Sequence, residues 1–150
     1  MNKSVKDYFF VSIQFFLFGL YAFDFLPKME YPKPIAIIGV LMAILGFAIM
    51  AIALFELKTN LTVFPTPKTN SELITFGMYK FSRHPIYSGI LLFVYGYAIF
   101  SFSLYKLLIS SLLFVLLYFK TNYEESQLER KFPDYSNYKM KVGRFFPKIK

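Results

Sequence analysis

Four long apolar runs dominate this chain and fix what it can fold into. They lie at about 8–26, 34–57, 86–102 and 104–121. The first is closed by Pro27 and the second is opened by Pro34. Both are long enough to cross a bilayer, which takes about 20 residues. The last two are shorter and are separated only by the turn around Ser101-Phe102-Ser103, so they read as a helical hairpin. With 150 residues in all, 56% of them hydrophobic and 21% aromatic, too little polar surface remains to bury four such runs in a water-soluble core. The expected fold is therefore a single all-α domain over residues 1–150, a polytopic membrane protein of about four transmembrane helices with a polar C-terminal tail. Small residues on the second run, namely Ala36, Gly39, Ala43, Gly46 and Ala53, predict close helix packing there.

Charge gives an orientation. The formal net charge is +8. Its basic residues sit between and after the apolar runs, which fits the anionic inner face of a membrane rather than nucleic acid. Lys58, Lys68, Lys80 and Arg83 lie between runs two and three, and a series from Lys120 to Lys150 begins at the end of run four. The positive-inside rule puts the central loop and the tail in the cytoplasm, with the N-terminus beside them. Lys3 and Lys6 ahead of an apolar run resemble a signal peptide, but Asp7 interrupts the basic region. No small-residue cleavage site follows Phe25-Leu26-Pro27, so a retained membrane helix is expected.

The chain has no cysteine and one histidine. That excludes disulfides, thiolate metal sites and a cysteine nucleophile, and no metal is expected. Chemistry must come from elsewhere, and the stretch "GMYKFSRHPIYSGILL" is where polar groups meet an apolar helix. Pro85 suits a first helical turn, so Arg83 and His84 stand at the membrane surface with Tyr87 and Gly89 one turn inside. Gly89 would let another group approach the backbone. Glu124, Leu128 and Phe132 keep helical spacing, so the fourth helix is expected to run on past the membrane until Pro133. If runs three and four form a hairpin, Glu124-Glu125 lies near Arg83-His84. An interfacial anchor and an arginine–glutamate clamp satisfy the same spacing as a catalytic site does.

The stretch "LITFGMYKFSRHPIYSG" and the tail "EESQLERKFPDYSNYKMKVGRFFP" together resemble the isoprenylcysteine carboxyl methyltransferase and phospholipid methyltransferase superfamily. The shared pattern is Gly-x-Tyr, Arg-His-Pro-x-Tyr-x-Gly, an acidic pair after one hairpin, and a final Val-x-Arg-Phe-x-Pro. It covers roughly Thr59 to Lys148. The resemblance implies an integral membrane methyltransferase that uses S-adenosylmethionine at the cytoplasmic face and acts on a lipophilic or small acceptor. That acceptor is an isoprenylcysteine carboxylate, a phospholipid amine or a thiol.

Carried over by motif, Leu73, Ile74 and Tyr79 line the cofactor pocket, and His84, Pro85, Ile86 and Tyr87 wrap it with Gly89. Glu124 and Glu125 take its polar end, Ser71 and Glu72 add backbone contacts, and Arg83 and His84 are the candidate catalytic pair. Lys120 and Arg144 are candidate substrate contacts. Lys120 replaces an arginine of the isoprenylcysteine enzymes, which keeps the charge but loses a two-pronged grip on a carboxylate. Tyr135 and Tyr138 are expected to pack the tail, Asp24 to be interfacial, and Glu56 to be solvated or to face the bundle. The rival readings are an NADPH-dependent relative of the sterol reductases and a non-catalytic lipid-binding protein.

Overall fold

The computed structural model describes residues 3–28, 30 and 32–148, with no side-chain placement for Thr59; Lys150 of the basic tail lies outside the described residues. Among them the fold is all helical: α1 (Val5–Tyr21), α2 (Lys33–Leu57), α3 (Pro85–Phe100), α4 (Leu104–Lys131) and α5 (Tyr135–Lys141). Short 3₁₀ turns occupy Lys58–Asn60 and Gly77–Lys80. Helix α3 is the centre, packed on α2 and on α4, while α1 packs on α4 and also reaches α3, where the Tyr21 hydroxyl donates to the Val94 carbonyl at 2.5 Å. Helices α1 and α2 hardly touch each other.

Each boundary has a local cause. Ser4 and Asp7 form a capping box, so α1 starts at Val5. The buried Asp7 carboxylate also accepts from the Thr66 amide at 2.9 Å and the Thr66 hydroxyl at 2.8 Å, fastening the central loop to α1. The residue read as an interruption of a basic region is thus a cap and a tie. Helix α1 stops at Tyr21, short of the expected residue 26. It has no basic residue in its last turn. Lys106 of α4 supplies that charge, donating to the carbonyls of Tyr21 (2.7 Å) and Phe23 (2.9 Å). Asp24 there accepts from Ser103 at 2.7 Å. The expected hairpin is present, with Phe102 in the left-handed region (φ 53°) at its turn. Helix α4 runs on to Lys131, as the Glu124-Leu128-Phe132 spacing required.

Helices α2 and α4 are long and apolar enough to cross a membrane. Helices α1 and α3, at 17 and 16 residues, are shorter, rising about 24–26 Å against a hydrocarbon core of about 30 Å. The outward faces are apolar throughout: Ile37, Leu41, Ile44, Phe47 and Phe55 of α2 and Phe9, Phe15 and Phe16 of α1 are exposed. Such a continuous apolar exterior calls for lipid.

The small residues of α2 meet glycines of α3. A Cβ on Gly46 would lie 2.5 Å from the Phe93 amide nitrogen and 2.6 Å from the Gly89 carbonyl oxygen, and one on Gly39 2.7 Å from the Gly96 carbonyl oxygen. A Cβ on Gly96 would in turn lie 2.5 Å from the Ala43 nitrogen. The two backbones are therefore in direct contact along two turns. Replacing Gly46 with leucine should lower the thermal midpoint in detergent by an amount equivalent to about 1–3 kcal/mol or more. Gly19→Ala in α1, where nothing lies within 4 Å of the added carbon, should hold or raise that midpoint.

Candidate functional site

Beyond Thr121 the apolar stretch of α4 ends, and its last turns meet the central loop and the tail. A cavity of about 320 Å³ opens at this junction, between α1, α2, α3, α4 and the loop over residues 60–74. Lys120, Glu124 and Leu128 of α4, spaced by four, present one face to it. Leu73, Ile74, Tyr79, Ile86 and Tyr87 line it as well, and Ser71 and Glu72 lie on its wall. Asn60 holds this stretch of loop in place, its amide bonded to both backbone groups of Glu72. The 3₁₀ turn carrying Tyr79 is set by Glu56, whose carboxylate accepts from the Met78 amide at 2.8 Å. Gly77, with φ +58°, lies against that carboxylate: a Cβ there would sit 1.9 Å from it. Glu56 itself is half-buried, with its carboxylate engaged by the central loop.

His84 is the residue before α3 and is almost fully buried. Its ring stacks on Tyr87 (centroids 5.7 Å apart, 15° between planes). Its Nε2 lies 3.2 Å from Glu125 Oε1, and its Nδ1 lies 4.0 Å from Glu124 Oε2. The Tyr87 hydroxyl donates to Glu124 Oε2 at 3.1 Å. Lys120 Nζ stands over the Tyr87 ring, 5.2 Å from its centroid, donating to Gln14 Oε1 at 2.5 Å and the Val63 carbonyl at 3.1 Å.

The adjacent glutamates part ways, because neighbours on a helix point about 100° apart. Glu124 borders the cavity, whereas Glu125 turns to the tail. There Glu125 Oε1 meets Arg83 through Nε (2.9 Å) and Nη2 (2.8 Å). Lys139 approaches its other oxygen at 3.2 Å, and Arg144 Nε its first at 3.5 Å. The remaining donor of Arg83, Nη1, bonds the Lys139 carbonyl at 3.2 Å and that of Val142, capping the end of α5. The tail backbone is clipped on as well. The Arg83 and His84 amides donate to the carbonyls of Gly143 (2.9 Å) and Arg144 (3.1 Å), and the Ser88 hydroxyl to that of Phe145 at 2.6 Å.

Electrostatics separates the pair further. Burial by itself would raise the Glu125 carboxyl, but His84 and Arg83 outweigh it and hold it at about 2. Glu124 goes the other way: burial raises it, against the pull of His84 and Lys120. Burial likewise pushes up the phenols of Tyr79, Tyr135 and Tyr138, so they stay neutral.

Several expected site residues stand elsewhere. Gly89 is not open backbone for a ligand: it is filled by α2, where a Cβ would come 2.6 Å from the Gly46 carbonyl oxygen and 2.7 Å from the Met50 amide nitrogen. Pro85, Glu125 and Arg144 are off the cavity wall; Arg144 stacks on Tyr118, 4.8 Å from the ring centroid. Arg83 borders the cavity with its guanidinium engaged as above. In the opposite direction, Tyr135 and Tyr138 do more than pack the tail, since both line the cavity. The Tyr138 hydroxyl bonds the Tyr79 carbonyl. That of Tyr135 is buried with no hydrogen-bond partner among the described residues. Sequence reasoning missed Gln14, Asn60 and Val63, which are polar or loop residues far from any motif. The Lys120-Glu124-Leu128 spacing was the signal available for the α4 face.

No curated protein matches the chain at a significant level. Its sequence does match the phospholipid methyltransferase family over residues 35–135. The match takes in Gly77-Met78-Tyr79, Arg83-His84-Pro85 and the acidic pair, and ends at Tyr135, before Arg144. Two thirds of the chain, including the cavity's α2, α3 and α4 walls, the first motif and the start of the tail motif, thus carries the family pattern, and the chain belongs to the phospholipid methyltransferase family, whose members are membrane methyltransferases.

Proposed function

We propose that this chain transfers a methyl group from S-adenosylmethionine to a lipid-borne acceptor. The cofactor would enter at the tail end of the cavity and the acceptor from the bilayer between α1 and α2. The observation that carries this reading is the half-buried carboxylate of Glu124, bordering a mostly apolar cavity within reach of His84 and Tyr87. The residues present fit the cofactor. Glu124 suits its ammonium or ribose hydroxyls, and the aromatic faces of Tyr79, Tyr135 and Tyr138 suit its adenine and sulfonium. The partnerless Tyr135 hydroxyl offers a buried hydrogen bond that only a ligand or water in the cavity can complete. The cofactor supplies an electrophilic methyl group when bound.

What the chain itself does is align and dry the site. Leu73, Ile74, Leu128 and Phe132 wall off water at the tail end. Glu125, ionised, accepts from His84 Nε2, so Nδ1 is the nitrogen left free toward Glu124 to take a proton from an acceptor amine, thiol or carboxylic acid. Arg83 holds Glu125 and the tail, and thus acts by positioning. On the bilayer side, Phe15 and Phe18 of α1 face Met50 and Leu54 of α2 across the gap between the two helices. Lys120 stands between this gap and the cofactor end, placed for a negatively charged group on the acceptor, a phosphodiester or a carboxylate. Arg144, beside Tyr118 on α4, is placed to steady the tail. The domain is then one unit over 1–150, with four spans and both termini on the cytoplasmic side.

Calorimetry of purified protein in detergent tests the cofactor. S-adenosylhomocysteine should bind saturably, and Glu124→Ala should weaken it about 10- to 100-fold, the worth of a charge-assisted hydrogen bond. NADPH binding in its place would favour the reductase reading, and no binding of either a lipid-binding role. With labelled S-adenosylmethionine and a panel of membrane lipids, Lys120→Ala should raise the acceptor KM while leaving S-adenosylhomocysteine affinity within about threefold, and an unchanged KM would remove Lys120 from the acceptor site. Arg83→Gln should cost up to about 3–5 kcal/mol of stability by taking from the buried Glu125 its closest cation, seen as a large drop in Tm. Arg83→Lys, at a smaller Tm cost, should lower kcat more than it raises KM.

A further inference from the structure

A second groove lies beside α4, about a quarter turn around the helix from the cavity. It is lined by Ser4 and Lys6 at the start of α1, Thr66 of the central loop, and Tyr123, Ser126, Gln127 and Arg130 of α4. Tyr123, Gln127 and Arg130 share one helix face, distinct from the Lys120-Glu124-Leu128 face. The groove sits just past the apolar part of α4, at the level where headgroups meet water.

Three observations define what it suits. Lys6 and Arg130 both border it and are exposed, and among the described residues neither has a carboxylate partner; Lys6 stands 5.9 Å from the Tyr123 ring centroid. Gln127 is 93% buried (7% exposed), yet its side-chain amide makes no hydrogen bond among the described residues. The amide atoms open onto the groove, where water or a ligand completes their hydrogen bonds. Asp7, the carboxylate beside Lys6, is buried and turned away from a ligand. Its oxygens already accept from the Ser4 amide (2.6 Å), the Thr66 amide and the Thr66 hydroxyl. The positive end of the α1 dipole adds to the same field.

The geometry points to a second ligand site here, for a phosphate or phosphate ester, with Lys6 and Arg130 pairing its charge and the Gln127 amide donating to one of its oxygens. A lipid headgroup and free phosphate share this chemistry. Thr66 lies between Pro65 and Pro67, which line the main cavity, so a ligand in the groove braces the wall of the methyl-transfer site without entering it. The site does not depend on the methyltransferase reading.

The test uses the full chain in neutral maltoside detergent, with dihexanoyl-phosphatidylglycerol, the phosphate-free dihexanoylglycerol and inorganic phosphate as probes, followed by calorimetry and thermal shift. The expected result is saturable binding of the phosphatidylglycerol and none of the diglyceride. The Lys6→Gln/Arg130→Gln variant should bind about 10-fold or more weakly with the parent's unliganded Tm. Gln127→Leu should weaken binding several-fold while leaving that Tm close to the parent's, because the amide makes no hydrogen bond among the described residues. Competition by inorganic phosphate identifies a free phosphate as the source, and lack of competition a membrane headgroup. The proposal is overturned if the parent binds neither phosphate probe, if the double variant binds like the parent, or if Gln127→Leu lowers Tm and leaves binding intact. S-adenosylhomocysteine affinity of the double variant, expected to match the parent, reports the main cavity separately.

Discussion

The buried pair of Arg83 and Glu125 is the constraint on which the rest of the site depends. Neither side chain has appreciable access to water, so each needs the other and every remaining donor and acceptor needs a partner. Arg83 meets that need with the two carbonyls at the end of α5, and Glu125 with His84, Lys139 and Arg144. The pair therefore ties three stretches that are remote in sequence: the start of α3, the end of α4 and the tail. Once they are tied, the tail covers one end of the cavity and brings Tyr135 and Tyr138 onto its wall.

This clamp also explains why two adjacent carboxylates differ. Glu125 is held ionised by the cations around it, while Glu124, one position earlier, faces the cavity, where burial raises its proton affinity. An acidic doublet in the sequence looks like one feature. A helix turns it into a structural anion on one side and a ligand-facing group on the other. The glycine seam has a comparable effect at larger scale. By drawing α2 against α3 to backbone contact, it fixes where Met50 and Leu54 stand on the cavity wall that Phe15 and Phe18 of α1 share.

Much of this was legible in the sequence because it rests on local rules. Pro85 at a helix start, the turn at Ser101-Phe102-Ser103, the run of α4 to Lys131 and the small residues of α2 all follow from one or two turns of chain. Misreadings arose where the deciding partner is distant. Asp7 reads as a charge among lysines until Thr66, 59 residues on, is bonded to it. The end of α1 is set by Lys106, which no local pattern announces. Gly89 reads as room for a ligand, but the space above a glycine belongs to whichever element packs there, and α2 does.

The sequence by itself determined that the chain is helical and made for lipid, and that its polar chemistry gathers at one end, because hydropathy, proline placement and charge act over short stretches. The Arg-His-Pro motif and the acidic pair fall in the family match for the same reason: spacing survives without coordinates. Only the tertiary structure decided which of the clustered groups face the cavity and which hold the fold. It gave Glu124, Tyr87 and His84 to the cavity, Glu125 and most of Arg83 to the clamp, Gly89 to helix packing, and Tyr135 to the wall. That sorting depends on the direction of each side chain across elements brought together from far apart. One residue along a helix is a rotation of about 100°, enough to exchange a binding role for a structural one.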